Sequence, residues 1–397
     1  MTNSEPTDLN DEERIYPYQR MALQNRSEYV ATIRGVDRLL SSGSEGWATT
    51  HKHVGRMYRV IDQRLRSWIA DFVLGSLTHL SNEQMGTILQ SLEGYCVQED
   101  WATLKRLLPS QARKYIGELL AESLIYKTIM NKVFENSFGY LDGKTGLADN
   151  GEDERFSMKL QYLYERFFQT NPESATLWKR QTHRLANSTS PSQSTDQAFG
   201  NYNAQRLKTV AKSVVTDLLA SDPFRLLLIE PLDAAEVTKR QNRLIRVFES
   251  AVAAMHCCES YMGGHLDLRR LSELGESYRC GTDDMVFHFY NRHPDESTWE
   301  GHRILLVVKP AVIYSHNMPD IDSEYESLTT IVDKAMVLLA ATEEEVKRSN
   351  DERDPPEDIS TLSVAEIRQR KNSGSLKRKS KASDNGLPGV RLYKTEP

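Results

Sequence analysis

Nowhere does this sequence hold a run approaching the roughly 18 continuous apolar residues of a membrane span, so no helix through a bilayer is expected. Cysteine is scarce: four in 397 residues, at Cys96, Cys257, Cys258 and Cys280, without regular spacing. That argues against a disulfide framework and for a reducing compartment. The first residues, MTNSEPTDLNDEER, are polar and acidic, with no apolar run behind a basic start. Neither a secretory signal nor a transit peptide is expected there. Asn187-Ser188-Thr189 matches a glycosylation sequon, which without secretion reads as chance. G-x-S-x-G, H-E-x-x-H and G-x-G-x-x-G do not occur, and no period of about 20–50 residues repeats.

What is present is helical patterning. From Asp233 to Gly264 apolar residues fall at Leu244, Phe248, Ala251, Met255, Cys258 and Met262, in alternating steps of four and three. Those steps put all six on one stripe, which Ile245 and Val252 widen into a core-facing surface. Asp233 with Glu236 reads as a capping box and Gly263-Gly264 as a stop. The other face is charged, so other helices must cover the stripe.

The remaining chain follows in kind. A helix is expected over 27–42 and another over 53–80 with Met57, Ile61, Leu65, Trp68, Phe72 and Leu77. Ser81 and Gln84 cap the next, Pro109 stops a short one, and a longer one runs to Phe138. Phe156, Leu160, Leu163 and Phe167 mark a helix, and Asn171-Pro172 opens another that ends near Ala186. Residues 187–201 are Ser/Thr-rich without apolar period and read as a flexible linker between domains. Met285 to Tyr290 and Arg303 to Tyr314 read as strands, the second kinked at Pro310. Leu328 to Ala341 is helical by residue choice but could contain a strand. The expected fold is mainly α: a bundle-like body with a small β element near 284–316. The divisions are a disordered 1–14, helical regions 15–186 and 202–345, and a disordered tail 346–397.

Several constellations resemble sites of chemistry. Gly143-Lys144-Thr145 resembles the end of a phosphate loop, but Gly139 leaves one residue too few and a helix precedes it. Asp283-Asp284 resembles a diphosphate-gripping aspartate pair, but no third carboxylate follows and a strand begins at once. His256, Cys257, Cys258, His265, Cys280, His288 and His293 lie close in sequence without a C-x-x-C pair. His51-x-His53 has no partner carboxylate nearby. No catalytic, cofactor or metal residue is assigned; a site assembled from distant residues stays open.

Charge is distributed unevenly. From Thr361 onward nine Lys/Arg face three Asp/Glu, giving +6 and leaving −12 for the rest of a chain whose net charge is −6. Arg368, Arg370 and Lys371 form one cluster; Lys377, Arg378, Lys379 and Lys381 form a second after five residues. Two basic clusters on an extended chain suit the two acidic grooves of a nuclear import receptor. Ser373, Ser375, Ser380 and Ser383 lie among them, where phosphate would cancel charge.

Trp299 to Val312, WEGHRILLVVKPAV, followed by Lys334-Ala335, resembles a C-terminal block of uncharacterised helical proteins of filamentous fungi. The resemblance implies a recurring structural edge or contact surface and no activity. The sequence reading is therefore a non-enzymatic interaction or regulatory protein, nuclear or otherwise cytoplasmic, with protein partners that include an import receptor. A homo-oligomer stays open, and no membrane association is expected. The acidic body argues against direct nucleic-acid binding. The alternative is an enzyme with a helical pocket.

Overall fold

The computed structural model describes residues 51–144, 153, 155–191, 193–230, 232–262, 264–291, 296–317 and 327–342. The fold is mainly α, with two small sheets. The expected helix over 27–42, the ends 1–14 and 346–397 and all seven basic tail residues lie outside the described residues.

The helices are α1 (His51–Phe72), α2 (Asn82–Ser91), α3 (Trp101–Leu107), α4 (Ser110–Lys114), α5 (Ile116–Ile129), α6 (Phe156–Thr170), α7 (Pro172–Ala186), α8 (Ala198–Ala220), α9 (Asp222–Arg225), α10 (Ala234–Cys257) and α11 (Leu271–Leu274). Helix α10 is the organising element. Asp233 caps it by accepting from the Glu236 amide, and Leu244, Phe248, Ala251, Met255 and Cys258 are all buried. Its C-terminal end loosens into a π turn, Cys258–Met262. Helix α1 lies against α10, and the Trp68 indole donates to the Arg240 carbonyl at 2.8 Å while packing between Phe72 and Phe224.

Sequence signals hold at several termini. Ser81 and Gln84 form a reciprocal capping box, and Asn171 caps α7 with Pro172 at its first position. The helix expected from Ser110 to Phe138 is interrupted at Tyr115. There Gly117 donates to the Gly75 carbonyl at 3.0 Å, and a Cβ at 117 would lie 2.1 Å from the Leu74 carbonyl oxygen. Only glycine lets the two backbones approach so closely.

The β element is larger than expected and extends over 265–339. Strands β3 (Ile304–Lys309) and β4 (Ala311–Asn317) are one arm broken at Pro310; β5 (Ser327–Asp333) and β6 (Ala335–Leu339) are the other, broken at Lys334. The arms pair antiparallel from Ile304↔Leu339 to Asn317↔Ser327, with register shifts on both sides of the bend. β1 (His265–Arg269) adds antiparallel to β4 and β2 (Met285–Phe287) parallel to β6. Of the two structures open to residues 328–341, strand is the one formed, over 327–333 and 335–339. Pairing with the apolar 304–317 arm overrides local propensity, helped by Thr329, Thr330, Ile331 and Val332.

The Ser/Thr-rich segment does not separate two cores. One apolar cluster runs from Val54 to Leu339, and Asn187 and Ser188 are buried. The Asn187 amide donates to the Tyr140 hydroxyl at 2.6 Å and to the His183 carbonyl at 2.7 Å; the Ser188 hydroxyl donates to the Arg184 carbonyl at 2.7 Å. Short polar side chains satisfy the local backbone here, which composition alone reads as looseness. Helix α8 starts at Ala198, ahead of the expected position.

Candidate functional site: an interior ionic network and an open helical face

The bend in the hairpin places two charges together. Lys309 is the last residue of β3 and Asp333 the last of β5; Lys309 Nζ lies 2.8 Å from Asp333 Oδ2 and 3.1 Å from Asp62 Oδ2 on α1. Tyr126 of α5 donates its hydroxyl to Asp62 Oδ1, and Ser123 donates to the Val307 carbonyl at 2.9 Å. Burial alone would lower the Lys309 ammonium, but Asp333 and Asp62 hold its pKa above the ordinary lysine value. Glu122, also on α5, is buried among these groups. Burial pushes its carboxyl up to about 7; Arg66 and Lys309 pull it down, while Asp62 and Glu118 push it up.

Because its folded pKa exceeds the unfolded one, the native state holds this proton more tightly. Stability should then fall as pH rises from about 4.5 to about 7. Glu122→Gln, which mimics the protonated acid, should match the parent near pH 4. At pH 8 it should be more stable by about 3 kcal/mol in denaturant melts. A variant weaker than the parent at pH 8 would contradict this.

A second network lies where α7 meets the π turn. Lys179 Nζ sits 2.8 Å from Glu259 Oε1 with both groups buried, and the Tyr314 hydroxyl donates to the same oxygen at 3.4 Å. The Tyr140 hydroxyl accepts from Asn187 and lies 3.0 Å from His183 Nδ1. Burial, with Lys179 and His256 adding to it, holds the His183 pKa well below the ordinary histidine value.

The sequence candidates separate. Lys144 donates its amide to Asp142 Oδ1 at 3.1 Å in a side-chain-closed turn. Asp284 is buried and bonded to Arg269 at 2.7 Å, whereas Asp283 is exposed, 3.6 Å from Lys334. Cys257 and Cys258 are buried in the core and Cys280 is exposed. Among the described residues no three His, Cys, Asp or Glu are grouped to hold a metal. Within residues 299–312, β3 is buried throughout, and its outer edge is taken by Val97, donating to Leu305, and by Tyr95, accepting from Val307.

The open surface is elsewhere. Helix α6 turns Phe156, Leu160, Tyr164 and Phe168 inward, against Phe138 and Tyr140. Leu163 and Phe167, placed on the inward stripe by their spacing, are exposed instead, because Tyr164 and Phe168 compete for that face one residue on. With Met158 (67 % exposed) and Tyr162 (61 %) they give α6 an apolar exterior; Leu185 at the end of α7 and Phe199 at the start of α8 are exposed as well. These six are more than half of the ten exposed large apolar residues found among the described residues. Charge singles out the same corner: residues 156–220 carry eight Lys/Arg and four Asp/Glu within a body of net −12.

Among the described residues no helix is long and apolar enough to cross a membrane. Compared with family models, curated proteins and solved structures, the chain matches none.

Proposed function

We propose that this chain is a non-enzymatic interaction protein that works in the nucleus. The observation that carries the reading is the exposed apolar corner of α6–α8. Isolated apolar side chains are ordinary on a surface, but a concentration on adjoining helices is the feature of a contact site. The interior ionic groups support it, since Lys309 and Lys179 are engaged with carboxylates that tie one element to another. The two basic clusters of the tail supply the address. Residues 360–390 fused to a reporter too large for passive entry should accumulate in nuclei. Changing Lys377, Arg378 and Lys379 to alanine should abolish this. An evenly cytoplasmic parent fusion would remove the nuclear assignment.

Glu122 favours a second reading, an enzyme with a helical pocket, because a carboxyl titrating near 7 beside Lys309 suits proton transfer. The two readings differ in access. A carbodiimide with an amine nucleophile should leave Glu122 unmodified in the folded protein if the network is structural. Rapid labelling of Glu122 ahead of exposed carboxylates would favour the enzyme.

A further inference from the structure

We infer that the outward face of α6 docks an acidic, amphipathic helix of another protein. This rests on the reading that the α6–α8 corner is a contact surface, and it names the partner's chemistry.

The layout of the face carries the inference. Met158 and Tyr162 are four residues apart, as are Leu163 and Phe167, so each pair forms a ridge along the helix. At about 100° per residue, Lys159 and Arg166 fall between the two ridges, with Arg155 in line one turn earlier. All three cations are exposed, whereas Glu165 lies at the far margin and accepts from Gln161 at 3.1 Å. Lys159 touches Asp153 at 2.6 Å, but both side chains are largely exposed, and such a pair is weak enough to exchange partners. The face is thus apolar, basic, apolar. A complementary helix offers apolar side chains to the ridges and carboxylates seven residues apart to Lys159 and Arg166.

One other occupant fits less well. A second copy related by a two-fold axis would bring the cations against themselves.

The test uses the full chain and a fluorescein-labelled synthetic helix of about five turns, with leucine at heptad a and d and glutamate on both flanks, read by anisotropy. Its counterpart has lysine in place of every glutamate. The glutamate peptide should bind at least about tenfold more tightly than the lysine peptide. Lys159→Glu with Arg166→Glu should reverse that preference. Met158→Ser with Tyr162→Ser should weaken the glutamate peptide about tenfold, with the thermal midpoint unchanged as a check on folding. If charge reversal changes nothing while the serine variant loses both peptides, the acidic partner is wrong and the contact surface stands. If the serine variant binds as the parent does, or neither peptide binds, the contact-surface reading fails as well. Competition by phosphatidylserine vesicles or oligo-dT at lower concentration than unlabelled peptide would overturn the proposal. So would an affinity gain of about tenfold on deleting residues 1–50, which would make the chain's own N-terminus the occupant.

Discussion

Phe248→Asp is expected to unfold the body rather than loosen one end of it. Phe248 lies at the middle of the α10 stripe with no exposed surface, in the cluster that also holds α1 residues and both arms of the bent hairpin. Losing the ring removes apolar burial worth about 3–5 kcal/mol, and the carboxylate adds the cost of an unpaired buried charge. Together they consume much of the roughly 5–15 kcal/mol that holds a domain folded. Phe248→Leu, which keeps an apolar side chain, should cost less than about 2 kcal/mol. Circular dichroism and denaturant melts read both. A Phe248→Asp protein melting with the parent would mean that the stripe does not face the core.

Lys309→Met is the second large effect. The substitution keeps the apolar stem and removes the charge between Asp62 and Asp333. Leaving those carboxylates without their cation should cost about 3–5 kcal/mol. The loss should shrink on acidification, as protonation discharges the orphaned carboxylates. Adding Asp62→Asn and Asp333→Asn to Lys309→Met should recover most of the stability, because a network removed whole leaves no uncompensated charge. A triple variant as weak as the single one would show that the loss does not come from uncompensated carboxylates.

How much of this was legible can be argued residue by residue. The α10 stripe was, because the four-three spacing persists over 19 residues from Leu244 to Met262 and no other period competes. The inward face of α6 was not, because Leu163 and Phe167 match a helical stripe as well as Tyr164 and Phe168 do. Strands β5 and β6 were only half legible, since local residue choice is helical and their partners lie 10 to 35 residues upstream. The interior network left one readable mark: Lys309 interrupts an otherwise apolar ILLVVKPAVIY run. A lysine inside such a segment needs a buried counter-charge. Asp62, Asp333 and Glu122 carry no mark, because only the fold brings them to it. Gly117 belongs with them, its requirement arising from the Leu74 carbonyl and not from its own helix.

The central claim is that the tail supplies the address and the helical face supplies the contact. Its most direct test is localisation of the full chain fused to a large fluorescent reporter. The parent should be nuclear. The chain with Lys377, Arg378 and Lys379 changed to alanine should be cytoplasmic yet bind the glutamate peptide as the parent does. The Met158→Ser, Tyr162→Ser chain should remain nuclear and lose that binding. A tail variant that stays nuclear, or one that loses peptide binding, would contradict the separation of address from contact.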